Sequence, residues 1–287
     1  MVENGHNGKL YLVGTPIGNL EDITFRAIRT LKEVQLIACE DTRQTQKLLN
    51  HYGIETHTTS YHEHNELTRS AELVMLLQQG KNIALVTDAG MPGISDPGFR
   101  LVTLAIRHRV PVIPIPGPSA FLSALVASGL PTDAFRFLGF LPSKEGQRAK
   151  ALENIRNSTR TVIFYEAPHR LLESVEEIVH VLGPERPIVV AREVTKLHEE
   201  FLRGTSTEVL SELKHREEVK GEITLLIGRA PEQEKGQSVF NAHTVRSRVR
   251  ELMKNENVDE RDALKRVAKE MGVSKSEAYR ELQKTKE

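Results

Sequence analysis

From Lys9 to Ile115, short runs of aliphatic and β-branched residues alternate with longer stretches whose apolar residues recur every three or four positions. A run of four to six apolar residues bounded by turn chemistry reads as a buried strand, and the longer spacing as one face of a helix. The strand runs are Leu10 to Val13, Gln35 to Cys39, Asn82 to Thr87 and Val110 to Ile115. Asp22 stands before FRAIRTLKEV, Thr42 before QKLLNHYG and Glu66 before a run ending in LLQQG, which marks helix starts and a terminal glycine. This alternation predicts a largely parallel sheet covered by helices. A second set begins near Ser119: a helix over SAFLSALVASG, strands over FRFLGFL, TVIFYEA, IVVAREV and EITLLIG, and helices near 146–157, 169–182 and 205–214.

The chain thus divides into α/β segments at 8–118 and 119–229, a polar Pro- and Gly-bearing linker at 230–240, and a helical segment at 241–287. The last segment holds twelve Lys and Arg against nine Asp and Glu, whereas the whole chain of 287 residues sums to zero. Any nucleic-acid contact therefore has to come from a local basic face rather than from overall charge. Within that segment the stretch Asp262 to Leu282 has helix-turn-helix grammar, with a helix ending at Gly272, then Val273, then Ser274 as N-cap of a further helix. Lys265, Arg266, Lys269, Lys275 and Arg280 fall on its polar positions and are candidate nucleic-acid contacts; a helical bundle used for packing or dimerisation is the alternative. No apolar run approaches the ~20 residues that span a bilayer, and MVENGHNGKL has no secretory pattern. The single cysteine, Cys39, fits a reducing compartment, so a cytoplasmic location is expected.

Candidate chemistry sits at the carboxyl ends of strands, where open α/β sheets place their ligands. Gly14-Thr15-Pro16-Ile17-Gly18-Asn19 follows the first strand and is neither GxGxxG nor a Walker loop. Thr87 to Gly98 packs three glycines, two prolines and two aspartates into twelve residues, a loop too long to be idle in a compact domain. Pro116-Gly117-Pro118-Ser119-Ala120 opens a helix with Ser119 placed as a cap. Glu40-Asp41-Thr42-Arg43 joins a strand to a helix, where acidic residues also suit the helix dipole. Tyr165 and Glu166 end another strand, as core and cap or as cleft residues, and Arg192 and Glu193 read as a plain ion pair. The cluster His57, His62, Glu63, His64 and Glu66 lacks a zinc spacing such as HExxH, so no metal is expected; His62 is a candidate RNA contact.

Taken together, VGTPIGNLEDIT, EDTRQTQKLLNHYGI, TDAGMPGISDPG, PGPSA and FYEAPHR, in this order, resemble the tetrapyrrole (corrin/porphyrin) methylases, in the branch that modifies small-subunit ribosomal RNA. The likeness spans about residues 8–229, with DAGMPG where small-molecule members carry a GDP-type loop. It implies a two-subdomain α/β fold with S-adenosylmethionine in the cleft, a homodimer, and 2′-O-methylation of a decoding-site cytidine in 16S rRNA. Cofactor contacts would come from Pro16, Asp88, Gly90, Met91, Gly93, Ser119, Ala120 and Tyr165. Glu40, Asp41, Arg43 and Glu166 would position substrate or handle the proton, unranked among themselves. A corrin or porphyrin precursor as substrate, or a nucleic-acid-binding regulator acting through the C-terminal helices, are the rival readings.

Overall fold

The computed structural model describes residues 7–231, 242–256, 258–271 and 273–283. The described residues up to Ala230 form one compact unit and those from Pro231 onward a second. Most of the expected linker, and Gly272, lie outside the described residues.

In the first unit, β1 (Leu10–Val13), β2 (Leu36–Cys39), β3 (Thr58–Ser60), β4 (Ile83–Val86) and β5 (Val112–Ile115) pair in parallel in the order β3-β2-β4-β1-β5. Successive strand residues face opposite sides, and here both sides are covered, which is why the runs are apolar throughout instead of alternating. Ala84 and Val86 of β4 join Leu31 of α1 (Phe25–Glu33) and Leu49 of α2 (Thr42–His51) on one face. Ile83 and Leu85 join Leu73 of α3 (Glu66–Gln78) and Leu101 of α4 (Phe99–Arg107) on the other. The helix starts differ from the sequence expectation by a residue or two. Thr24, not Asp22, caps α1, accepting from the Ala27 amide at 3.1 Å. Asp41, not Thr42, caps α2, accepting from the Arg43 amide at 2.8 Å. Asn65 precedes α3, and Ser119 makes no side-chain cap bond.

The chain then runs through α5 (Ala120–Ser128), β6 (Phe135–Phe140), α6 (Glu145–Glu153), β7 (Thr161–Glu166), α7 (Leu171–Leu182), β8 (Pro187–Arg192), β9 (Glu200–Thr205), α8 (Ser206–Lys214) and β10 (Ile223–Ile227). These strands form a mixed sheet in the order β6-β7-β10-β8-β9, parallel only between β6 and β7. The antiparallel register sets Ile223 opposite Glu166 and Arg192, so the start of β10 lies beside the ends of β7 and β8. Three strand ends thereby meet at one edge of the sheet.

The loops after β1, β4 and β5 are laced together. Thr15 and Gly90 exchange backbone hydrogen bonds at 2.9 and 3.1 Å, and the Thr15 hydroxyl donates to the Thr87 carbonyl at 3.0 Å. A Cβ on Gly14 would stand 2.7 Å from both Gly117 Cα and Met91 Sδ, and a Cβ on Gly117 would stand 2.8 Å from Gly14 Cα. Backbone meets backbone there, and neither side can yield cheaply. Gly14→Ala or Gly117→Ala should therefore destabilise the unit by roughly 3 kcal/mol, the upper part of the range for overpacking. Denaturant unfolding measures it, and near wild-type stability would show that the two loops can part.

The second unit packs α9 (Ala242–Glu256), α10 (Glu260–Glu270) and α11 (Lys275–Gln283) around Val245, Val249, Leu264, Val267 and Leu282. Ser274 and Glu277 form a reciprocal cap: the Ser274 hydroxyl accepts from the Glu277 amide at 3.3 Å, and Glu277 Oε2 accepts from the Ser274 amide at 2.9 Å. The N-cap expected at Ser274 is therefore formed.

Candidate active site

A cavity of about 940 Å³ opens where the carboxyl ends of the first sheet's strands face the end of β7 and the start of β10. That volume lies at the upper end of the range for small-molecule sites. The loop after β4 supplies most of one wall, from Asp88 to Asp96, and the loop after β5 supplies Pro116, Gly117 and Ser119. Phe121, Leu122, Phe140 and Tyr165 make an apolar, largely aromatic wall opposite. Tyr165 is held by edge contacts to Phe137 at 4.9 Å and Phe140 at 5.5 Å between ring centres. Burial pushes its phenol up to about 12, so it stays protonated and able to donate a hydrogen bond throughout the neutral range.

Five carboxylates line this largely apolar space: Glu40 after β2, Asp88 and Asp96 from the loop after β4, Glu166 at the end of β7 and Glu222 before β10. Asp88 Oδ1 accepts the Asp41 amide at 3.1 Å, which ties that loop to the start of α2. Burial, with the Glu40 and Asp88 charges added, pushes the Asp96 carboxyl up to about 7. Glu40 is raised as well, by burial first and Asp88 next. Like charges in a partly dry site raise one another's proton affinity, and an incoming cation relieves them. Ser95, beside Asp96, holds a left-handed φ of 62° without being glycine, a strained conformation of the kind stored at binding loops.

Of the residues expected to hold a cofactor, Asp88, Gly90, Met91, Ser119, Ala120 and Tyr165 line the cavity, while Pro16 and Gly93 lie beside lining residues Ile17, Pro92 and Ile94. Gly90 and Gly93 both have φ of 82°, and a Cβ at either would meet nothing closer than 3.6 Å. Their glycine is required by the left-handed turn, not by crowding against protein atoms. Gly90→Val would therefore reach any ligand through a reshaped loop.

The four residues expected at the chemistry separate. Glu40 lines the cavity. Asp41 and Arg43 form a two-pronged pair beside it, at 3.1 Å and 2.8 Å, with the Arg43 side chain 87% exposed. That hydrogen-bonded guanidinium holds the Asp41 carboxyl at about 2. Glu166 also lines the cavity, but both its oxygens are taken by the fold: Oε1 accepts the Ala167 amide and Arg170 Nη2, both at 2.7 Å, and Oε2 accepts the Ser174 hydroxyl at 2.6 Å. The expected Arg192–Glu193 pair does not form. β8 ends at Arg192, which meets Glu200, its register partner on β9, at 3.0 Å, while Glu193 lies past the strand at a left-handed φ of 52° and takes Lys196 at 2.8 Å. His62 is fixed by Asn65, whose Oδ1 accepts the His62 amide at 2.9 Å. Among the described residues no group of three or more His, Cys, Asp or Glu could hold a metal ion, and no helix is long and apolar enough to cross a membrane.

Sequence reasoning passed over Asp96, Phe140, Val194 and the stretch Gly221 to Thr224, all of which line the cavity. Asp96 stood inside a quoted motif, but its importance depends on Glu40 and Asp88 being near. The stretch before β10 carries no motif at all.

The family model for Tetrapyrrole (Corrin/Porphyrin) Methylases matches residues 9–210. The chain is 48% identical over 272 residues to ribosomal RNA small subunit methyltransferase I of Halalkalibacterium halodurans, covering 95% of this chain and 93% of that one. The protein of that name from Thermotoga maritima is 47% identical over 220 residues, which cover 77% of this chain and 98% of that one. Among solved structures, uroporphyrin-III C-methyl transferase from Thermus thermophilus, complexed with S-adenyl homocysteine, superposes with a TM-score of 0.54 at 21% identity, covering 78% of this chain and 98% of that one.

Proposed function

Because the chain belongs to the tetrapyrrole methylases, and within them to the branch of the ribosomal RNA small subunit methyltransferases I, we propose that it transfers a methyl group from S-adenosylmethionine to a ribose 2′-hydroxyl of small-subunit ribosomal RNA, at a decoding-site cytidine. The observation that carries the reading is the convergence of Glu40, Asp88 and Asp96, with Glu222 and the hydrogen-bonded Glu166 also in the lining, on a largely apolar cavity with no cation among its lining residues. Such a site favours a ligand that brings positive charge and a flat apolar group together. S-adenosylmethionine supplies both, through its sulfonium and ammonium groups and its adenine, and when bound it provides a methyl group on a good leaving sulfur.

The chain's residues then have three tasks. The carboxylates hold the positive charge, and the aromatic wall excludes water from it, which strengthens that attraction. The loops after β1, β4 and β5, locked to one another, keep the donor still, so that orientation supplies much of the rate. A base must take the hydroxyl proton, and Glu40 is best placed among the four candidates. It lines the cavity with a raised proton affinity, whereas Asp41 is held at about 2 by Arg43 and Glu166 is bound by Arg170 and Ser174 from the turn and helix that follow β7. A base whose pKa lies nearer the working pH is the more effective one. Asp41 and Arg43 then belong to substrate positioning.

The test is transfer of labelled methyl groups to undermethylated small ribosomal subunits, followed by mapping of ribose methylation. Label on one cytidine ribose is expected; label on a corrin or porphyrin precursor with none in RNA would overturn the reading. Arg43→Ala probes the positioning role separately. Its side chain is exposed, so melting temperature and S-adenosylmethionine affinity should stay near wild type while transfer falls on the order of 100-fold, the scale of a misplaced substrate. Loss of stability with normal transfer would return Arg43 to a purely structural pairing with Asp41.

A further inference from the structure

The C-terminal unit carries more positive charge than its own acids neutralise. Glu251 and Glu270 bind Arg248 at 2.8 and 3.0 Å, and Glu256 binds Arg266. Asp259 caps α10, Glu277 Oε2 accepts the Ser274 amide at the start of α11, and Glu260 and Asp262 stand exposed in the first turn of α10 beside Arg261. Arg261, Lys265, Lys269, Lys275 and Arg280 are exposed and have no ion pair among the described residues.

Their placement is ordered. Arg261, Lys265 and Lys269 recur every four residues along α10 and so form one stripe. Arg266 and Glu270, which reach α9 through Glu256 and Arg248, lie roughly 100° further round at 3.6 residues per turn. The stripe is thus on the flank of α10 turned from α9, and α11 packs against α10 as well as α9. On α11, Ala278 and Leu282 enter the core, while Lys275, Tyr279 and Arg280 do not. Tyr279 is 53% exposed and contributes nothing to that core. An exposed aromatic ring flanked by cations, with no apolar face around it, suits a base stacked above phosphates and not a lipid surface.

The relatives separate this unit from the chemistry. A match of 220 residues, about the length of the α/β unit, accounts for 98% of the Thermotoga maritima protein, whereas the Halalkalibacterium halodurans protein is matched across 95% of this chain.

We propose that the C-terminal unit is an RNA-docking head, in which Arg261, Lys265, Lys269, Lys275 and Arg280 hold the phosphates of a ribosomal RNA segment and Tyr279 stacks on an unpaired base of it. The segment is distinct from the nucleotide that receives the methyl group. This rests on the ribosomal RNA reading above and adds a second point of attachment to it. Arg266, engaged by Glu256, is left out of the contact set.

The experiment compares full-length wild type with the triple variant Lys265→Ala, Lys269→Ala, Lys275→Ala, and with Tyr279→Ala and Tyr279→Phe, on undermethylated small subunits across a salt series. Alanine at exposed helix positions should preserve the helices, and circular dichroism checks that; if the triple variant fails to fold, Lys265→Gln with Lys269→Gln replaces it. Each phosphate contact contributes about 0.7 to 0.9 to the slope of log affinity against log salt, so the triple variant should flatten it by about 2. Its KM for subunits should rise about tenfold with kcat kept. Tyr279→Ala should weaken binding roughly tenfold without changing the slope, and Tyr279→Phe should restore it. An unchanged slope and KM in the folded triple variant, while wild type transfers methyl normally, would overturn the docking head and leave the proposed function standing. Failure of wild type to methylate the subunits would overturn both.

Discussion

S-adenosylmethionine should bind about tenfold more weakly for each pH unit below about 7, and Asp96→Asn should abolish that dependence while lowering affinity at pH 8. The sign follows from Asp96, whose carboxyl is pushed up to about 7 by burial and by the Glu40 and Asp88 charges. In the empty site the group is protonated below that value. A positively charged ligand favours the ionised form, so binding on the acid side must expel a proton, and each pH unit then costs one tenfold step in affinity. Above about 7 the proton is already gone and the curve levels. Stability of the empty protein runs the other way. The folded chain holds a proton that the unfolded chain releases from about 4 upward, so stability contributed by this group is present at low pH and lost as pH rises towards 7. Asp96→Asn removes the loss along with the cation-binding charge, and the variant should match or exceed wild-type stability at pH 8. Titration calorimetry between pH 5.5 and 8.5, in two buffers of different ionisation enthalpy, counts the released proton directly. A flat affinity profile for wild type would remove Asp96 from the cofactor site.

That prediction was not available from the sequence, and the reason is physical. Glu40 falls in one motif and Asp88 and Asp96 in another, nothing in either says that they meet, and only the adjacency of β2 and β4 in the sheet brings them together. By contrast, the strands of the first sheet were legible because burial on both faces leaves an unbroken apolar run. The two strands that were missed are those for which this does not hold. Thr58 to Ser60 is a short polar edge strand, and Glu200 to Thr205 carries charge and a glycine. The glycine loops were legible as a cleft for a related reason: left-handed φ at Gly90 and Gly93, and the contact between Gly14 and Gly117, are demands that only glycine meets. The helix-turn-helix grammar was equally local, since Ser274 and Glu277 cap a helix whatever surrounds them. Side-chain direction was not local. Arg192 and Glu193 looked like a pair because they are adjacent, but the strand ends between them and Glu193 turns away at a left-handed φ.

Glu166 shows the same limit and supports the second large prediction. A carboxylate at the carboxyl end of a strand, beside a cavity, can face the cavity or turn back into the fold, and its sequence position is the same in both cases. Here α7 and the turn before it decide. They set Arg170 and Ser174, four and eight residues on, against the two carboxylate oxygens, and the Glu166 side chain is left with 0% exposure. Glu166→Ala would strand the Arg170 guanidinium and the Ser174 hydroxyl without their acceptor. Removing one partner of a buried pair costs about 3 to 5 kcal/mol, so the variant should unfold at markedly lower denaturant. Glu166→Gln separates the two readings of the residue. The amide keeps an acceptor oxygen for Ala167 and Arg170, and its NH2 can donate to a rotated Ser174 hydroxyl, so the network is weakened by roughly 1 to 2 kcal/mol rather than broken. If the carboxylate supports the end of β7, transfer by folded Glu166→Gln should stay within severalfold of wild type and its pH profile should not move. If it takes the proton from the ribose hydroxyl, kcat should fall at least 100-fold at unchanged cofactor affinity, the loss expected on removing a general base. Unfolding curves and single-turnover transfer on the same preparation give both quantities, and the second outcome would replace Glu40 with Glu166 as the base.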